Sequence, residues 1–248
     1  MADPCEFLDW DTEFFGIRIG RVIGHTVTRA KLKEIDTWSH RNKVRCLYLL
    51  AQCDDPETVF LAEEDGFHLV DMRVTFDRQL FEPFPEMAEG LRLAQPADMP
   101  VLEKWARTGF TDSRFFFDRQ FPRERAAALY AAWVRRDNQS SSSAVIVFSP
   151  EENCPMGFIS VTLNSTADAG QIGLLGVGPE ARGKGAGQAL VNGALAWAAQ
   201  RGAQKAIVVT QARNIAAQRL YQRCGFMVHS IELWYHKWYG SMEISVVR

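Results

Sequence analysis

The chain has 248 residues, between one and two ordinary domains, of which 47% are hydrophobic, 11% aromatic and 23% charged. That is enough apolar material for a core, and it excludes a disordered chain, a collagen-like repeat and a disulfide-stapled scaffold. Lys+Arg 28 against Asp+Glu 30 leaves a net charge of −2, so the basic excess of a general nucleic-acid binder is missing.

Residues 1–16 are acidic and lack both the basic and the apolar regions of a signal peptide. The longest strongly apolar stretches, 144–148 and 207–209, are strand-length, well short of the ~20 residues a spanning helix needs. Five scattered cysteines (Cys5, Cys46, Cys53, Cys154, Cys224) form no C-x-x-C pair and read as reduced thiols. The expectation is a cytoplasmic protein with no membrane partner and no metal.

Residues 47–52 (LYLLAQ) form a strand-like run, followed after thirteen residues by Gly66-Phe67. The same pattern returns at 206–211 (AIVVTQ) and Gly225-Phe226. Gly225 stands 159 positions after Gly66 (225 − 66), and the same offset carries Gln52 to Gln211, Leu61 to Leu220 and Trp38 to Trp197. Each copy reads helix, strand, helix, Gly-Phe, strand, with the glycine suited to ending a helix in the left-handed conformation. In the second copy Leu190, Ala194 and Trp197 keep helical spacing. Between the copies, Pro83 and Pro85 interrupt any regular element. The expected division is 1–85 and 86–248, and the serine-rich 138–143 reads as a surface loop.

Residues 172–190 (IGLLGVGPEARGKGAGQAL) carry an apolar strand into a glycine-dense turn and then an amphipathic helix. Such a turn aims backbone N–H groups at an anion at the positive end of the helix. A tight surface turn is the plainer alternative. A P-loop reading fails because Gly185 stands where the magnesium-binding hydroxyl belongs, and a dinucleotide fingerprint fails because 190–205 contains no Asp or Glu. There remain Arg182-x-x-Gly185-x-Gly187, the preceding Val177-x-Pro179, and the later Asn214-x6-Tyr221 followed by Gly225-Phe226. Asn214 and Tyr221 are two helical turns apart and share a face. Taken alone, Asn214 reads as a helix N-cap and Tyr221 as a core aromatic beside Leu220 and Cys224.

Together these motifs resemble the GCN5-related N-acetyltransferase (GNAT) superfamily. The resemblance implies an α/β (α+β) GNAT fold: a mixed central sheet with a splayed strand pair, the diverging neighbour being expected at 157–163. It implies acetyl-CoA as co-substrate. Backbone amides of Arg182, Gly183, Lys184, Gly185, Ala186 and Gly187 would hold the pyrophosphate, with Leu175, Val177 and Asn214 on the pantetheine arm. Tyr221 would be the general acid, a role that suits a phenol because it keeps its proton at neutral pH while a buried thiolate is basic enough to take it. Subtracting 159 puts Ala62, Asp55, Ile23 and Thr26 opposite Tyr221, Asn214, Arg182 and Gly185. The first copy is therefore expected to be a smaller, degenerate, cofactor-free GNAT-like domain.

Over residues 7–240 the chain most resembles the dTDP-fucosamine acetyltransferases. The shared stretches are Leu8-Asp9-Trp10-Asp11 with Phe14-Phe15-Gly16, Asp112-Ser113-Arg114-Phe115, Tyr130-x-x-Trp133 and Trp234-Tyr235-His236. This implies a small-molecule amine acceptor, the 4-amino group of a nucleotide-linked amino-deoxy sugar, acetylated directly in a ternary complex, with Asp112, Ser113, Arg114 and Phe115 as acceptor contacts. Arg114, Arg119, Arg123 and Arg125 lie among Phe110, Phe115, Phe116, Phe117 and Phe121, which suits a sugar nucleotide and equally a solvated helix face. His229 and His236 read as structural, and no general base is nominated, since ordered water can take the amine proton. Only the resemblance suggests a homodimer. Two other readings stand: a CoA-binding sensor without catalysis, for which Tyr221 would be superfluous, and a transferase acting on a protein or another small amine.

Overall fold

The computed structural model describes residues 3–84, 87–151 and 154–240. From the amino terminus, β1 (Cys5–Phe7), α1 (Asp9–Phe15), β2 (Ile19–Val22), α2 (Arg29–Arg41) and β3 (Cys46–Gln52) lead to α3 (Pro56–Glu64) and β4 (His68–Gln79). There follow β5 (Leu91–Leu93), α4 (Met99–Gly109), the single turn α5 (Arg114–Phe117) and α6 (Arg123–Gln139). The chain continues through β6 (Ser143–Phe148), β7 (Gly157–Leu163), β8 (Ala169–Val177), α7 (Ala186–Ala199), β9 (Lys205–Gln211), α8 (Ile215–Arg223) and β10 (Met227–Trp238).

The repeat is visible element by element. β3 and β9, α3 and α8, and β4 and β10 begin and end at positions separated by the same offset. Asp55 caps α3 by accepting from the Thr58 N–H, and Asn214 caps α8 by accepting from the Ala217 N–H. Gly66 and Gly225 leave these helices at φ +81° and +80°. Leu80 N–H donates to the Gln204 carbonyl at 2.8 Å and Tyr239 N–H to the Arg45 carbonyl at 3.0 Å, again matched positions. The copies part company upstream. Gly20 pairs with Leu47 and Gly170 with Ala206 in equivalent parallel ladders, so the second copy has nine more residues between those partners. They go into the longer β8 and the glycine-rich turn, and a uniform offset does not run through that loop.

By internal contacts the chain forms two compact units, each assembled from separated segments. The first comprises the residues up to Arg73, Ser113–Pro122 and the chain from Ile231 on; the second comprises Val74–Asp112 and Arg123–Ser230. In the first, the strand order is β1-β2-β3-β10, with β2/β3 parallel and the other pairs antiparallel. Alternation along β3 and β10 gives this sheet two different faces. Leu47, Leu49 and Tyr235 pack with Ile35, Trp38 and Leu61 from α2 and α3. Tyr48, Trp234 and His236 lie on the other face, where Phe115 and Phe121 meet them.

In the second unit the order is β9-β8-β7-β6-β5, with residues 74–79 of β4 beside β9; β8/β9 are parallel and β5/β6, β6/β7 and β7/β8 antiparallel. Ile159 and Val161 point into a core with Leu190, Ala194, Leu195 and Trp197 of α7. Ser160, of opposite alternation, faces the side where α6 lies. Residues 82–84 and 87–90 fall within this unit, and the boundary residues Pro85 and Glu86 lie outside the described residues. The expected division at 85/86 follows the sequence repeat, whereas the compact units follow exchanged strands: the end of β4 belongs to the second unit and most of β10 to the first.

Candidate active site

The site in the second unit begins with a break in β8. Its ladder with β9 runs from Ala169/Lys205 to Ile172/Val208 and stops there, although both strands continue. On its other side β8 stays paired with β7 as far as Val177/Gly157. The expected divergence from 157–163 is therefore corrected: the strand that parts from β8 is Lys205–Gln211. The cause is a bulge. Ile172 pairs with Val161 and Leu175 with Ile159, so Gly173 and Leu174 together oppose Ser160. The Leu174 N–H donates to the fully buried Ser160 Oγ at 3.0 Å. A Cβ on Gly173 would stand 2.5 Å from that oxygen, so the bulge needs glycine at this position. The bulge increases twist and turns the end of β8 out of the β9 ladder, leaving residues 173–177 with one edge free of a strand partner among the described residues.

Beyond Val177, a 3₁₀ turn (Pro179–Ala181) brings the chain to α7. Gly183 and Gly185 adopt φ +73° and +85°, and nothing would crowd a Cβ at either, so the backbone conformation alone selects glycine there. Gly185 is the N-cap and has no side chain with which to satisfy the first amides of the 14-residue helix. No acidic residue occupies the first turn. The Arg182 and Lys184 amides lean at 3.3 and 3.4 Å on the carbonyls of Pro179 and Ala181, while those of Gly183, Gly185, Ala186 and Gly187 have no backbone partner among the described residues. Arg182 Nε donates to the Val177 carbonyl at 3.1 Å, fastening the turn to the end of β8. Gly187 has a packing reason as well, since a Cβ there would lie 3.2 Å from Leu220 Cδ2 and 3.8 Å from Val177 Cγ2.

Asn214 caps α8 at 3.1 Å. Gln218 Nε2 donates to the carbonyls of Ala212 (2.7 Å) and Gln211 (3.3 Å), which locks the turn ahead of that helix. Two turns on, Tyr221 is 4% exposed, with its ring 5.9 Å from Phe226 and 6.1 Å from Phe76. Leu175 and Val177 pack against the same cluster. The Tyr221 hydroxyl makes no hydrogen bond to a described residue. Burial, reinforced by Cys224, pushes the phenol well above its ordinary value. The structure thus gathers Leu175, Val177, the 182–187 turn, Asn214 and Tyr221 into one unit. The arrangement fits an acyl-CoA: an anionic diphosphate suits amides at an uncapped helix start, and an amide-bearing arm suits an unpaired strand edge.

The four residues expected to contact acceptor are divided. Asp112 is exposed and ends a segment of the second unit, whereas Ser113, Arg114 and Phe115 belong to the first. There, Arg114 lies over three rings, 4.2 Å from the Trp234 centroid, 4.4 Å from Phe115 and 5.0 Å from Tyr48. His236 stacks on Tyr48 at 4.5 Å, directly opposite it in the β3/β10 ladder. His236 Nδ1 is 2.7 Å from Asp118 Oδ2, which also accepts from Trp238 Nε1 at 2.9 Å. Sequence reasoning did not bring Tyr48, Asp118 or Trp234 into this group, yet the alternation Trp234, His236, Trp238 is a visible sign of an unusual strand face.

Complete burial pushes the His236 imidazole down to about 4, against the pull of Asp118. The unfolded chain takes up a proton near 6.5 and the folded one only near 4, so stability is full above 6.5 and falls as pH drops through that window. From pH 7 to pH 5 the loss is about 2 kcal/mol, or a melting temperature lower by about 4–8 °C. Thermal melts of wild type and His236→Gln, which keeps a donor for Asp118, measure it. Equal pH dependence in both proteins would clear His236 of the effect.

Among the described residues no helix is long and apolar enough to cross a membrane. Comparison with known proteins gives the arrangement its context. The model of the acetyltransferase (GNAT) family matches residues 101–226, just over half the chain. The chain is 27% identical over 234 residues to the dTDP-fucosamine acetyltransferase of Escherichia coli O6:H1, covering 94% of this chain and 97% of that protein. It is 23% identical over 236 residues to the spore coat polysaccharide biosynthesis protein SpsD of Bacillus subtilis, covering 89% and 80% respectively. The crystal structure of a GCN5-related N-acetyltransferase from Sphaerobacter thermophilus shares the fold with a TM-score of 0.65 at 17% identity, over 97% of this chain and 78% of that one. The chain belongs to the GNAT family and is an N-acetyltransferase.

Proposed function

We propose that the protein transfers the acetyl group of acetyl-CoA to the 4-amino group of a nucleotide-linked amino-deoxy sugar, in the cytoplasm, by direct attack in a ternary complex. The observation that carries the chemistry is the open edge of β8 beside the uncapped start of α7, with the Tyr221 phenol, unpaired among the described residues, packed against the same strand. The acceptor reading is supported by two relatives, one named for acetylating dTDP-fucosamine and the other for spore-coat polysaccharide, both aligned over most of the chain. A homodimer belongs to this reading by resemblance only.

Acetyl-CoA supplies the acyl thioester. The amides of residues 182–187 neutralise its diphosphate, with Arg182 and Lys184 adding formal charge. Leu175, Val177 and the Asn214 turn orient its arm, and an N–H on the open β8 edge is available to the developing oxyanion. As the amine forms the C–N bond and the C–S bond breaks, Tyr221 gives its proton to the departing sulfur. The amine proton leaves through water. The first copy of the repeat has no counterpart of the 182–187 turn and takes no part in holding acetyl-CoA.

Thiol release measured against a panel of amines tests the reading. Amino-sugar nucleotides are expected to exceed free amino sugars and peptide amines by at least about tenfold in kcat/KM, a discrimination that contacts to the nucleotide can supply. Preference for peptides or unrelated small amines would move the acceptor class. Acetyl-CoA binding with no turnover on any amine would mark a sensor.

A further inference from the structure

Buried polar atoms without a hydrogen-bond partner are not spread evenly. Of the seven side chains with such atoms among the described residues, six are in the first unit: Ser39, and the five Tyr48, Arg73, Ser113, Arg114 and His236. Tyr48, Ser113 and His236 are at least 97% buried. A buried donor left without an acceptor is costly, so such a set calls for a reason.

Its charges point the same way. Arg114 has a buried Nε without an acceptor and no ion pair with any described residue. Arg73 reaches toward Glu232 and Arg114 lies over Trp234, two residues further along the same face of β10; burial holds the Arg73 guanidinium below its ordinary value against the pull of Glu232, with the Arg114 and Arg21 charges adding to the effect. Glu232 Oε2 lies 3.6 Å from Arg73 Nε, beyond hydrogen-bonding range, while its Oε1 lies 3.6 Å from His25 Nδ1. The acid of the covering segment, Asp118, is already held by His236 and Trp238. Asp11 contributes negative charge near Tyr48 without supplying an acceptor for either guanidinium. Both arginines keep an accessible end: Arg114 is half-buried, and the Arg73 side chain is 28% exposed. Trp234, Phe115 and Tyr48 meanwhile fix the plane of the Arg114 fork.

We propose that Arg73 and Arg114 bind the diphosphate of the nucleotide-linked acceptor, making the first unit an acceptor-binding unit. Two planar guanidinium forks short of acceptors, that of Arg114 held by aromatic rings, match phosphate oxygens bidentately. The inference rests on the acceptor class proposed above, and only the diphosphate group is assigned.

The test uses the full chain and thymidine diphosphate, a nucleotide lacking the amino sugar, with acetyl-CoA and inorganic phosphate as parallel titrants in calorimetry. Thymidine diphosphate is expected to bind in the presence of saturating CoA. Arg114→Gln and Arg73→Gln are each expected to weaken it at least tenfold while acetyl-CoA affinity stays within twofold. Arg114→Lys, which keeps charge but not the fork, should lose affinity as well, and it guards against a folding defect in the glutamine variant. With the amino-sugar nucleotide, these substitutions should raise KM more than they lower kcat. No binding of thymidine diphosphate, displacement of it by CoA, or equal binding by wild type and all three variants would overturn the proposal. Turnover of amino-sugar nucleotides with KM unmoved by the variants would sink this inference and leave the proposed function standing. Arginine-dependent nucleotide binding without turnover of any amino sugar would sink the proposed acceptor and leave the anion site. Binding of inorganic phosphate with the same arginine dependence, but none of the nucleotide, would reduce the site to a free-phosphate site and overturn the assignment.

Discussion

Replacing Tyr221 with phenylalanine is expected to lower kcat at least about tenfold, the low end of what a positioned general acid contributes, and to leave the acetyl-CoA dissociation constant within twofold. The two readouts separate because the ring and the hydroxyl do different things. The ring fills space between Phe76 and Phe226, and phenylalanine keeps that packing, so the β8 edge and the start of α7 stay where they are. The hydroxyl has no hydrogen-bond partner among the described residues to lose, so its removal orphans no donor or acceptor among them. What disappears is a proton source for the sulfur. Because burial holds the phenol above its ordinary value of 10, Tyr221 stays protonated through neutral and mildly alkaline pH, and wild type should show no alkaline loss of activity from this group below pH 10. Single-turnover thiol release, with acetyl-CoA binding measured by calorimetry, checks both halves. Full activity in the variant would remove Tyr221 from proton transfer, and a matching loss of affinity would make it a packing residue.

Gly185→Val is expected to weaken acetyl-CoA binding at least tenfold, about 1.4 kcal/mol, with a smaller effect on kcat. At φ +85° a side chain meets no neighbour within 4 Å, so the penalty is conformational, of order 1–3 kcal/mol for a β-branched residue held in that region. If the turn relaxes to avoid it, the amides at the start of α7 no longer converge. Gly202 provides the control. It lies just beyond the other end of α7, at φ +91°, equally uncrowded. Gly202→Val should lower the melting temperature by a similar amount and leave acetyl-CoA affinity alone. Equal effects on binding from both substitutions would mean that α7 acts only through its stability.

Much of this was legible in the sequence because it depends on local spacing. Cap and exit residues at matched positions made the repeat visible, and the 182–187 turn was readable because left-handed backbone selects glycine. The missed parts depend on pairing between distant segments. The strand that leaves β8 was misplaced because the bulge is a two-against-one register, Gly173 and Leu174 against Ser160, and no spacing within one strand shows a register with another. The uniform offset also failed where the second copy has its extra residues. The Arg114 surroundings need Tyr48, Arg73 and Trp234 from three separate strands. Only the aromatic alternation in β10 hinted at them.

The trading of terminal strands between the copies bears on how such a chain can evolve. Residues 74–79 complete the second unit and residues from 231 on complete the first, so a crossover between genes with one breakpoint near residue 85 hands on neither unit whole. Deleting either copy at that point would therefore remove part of both units.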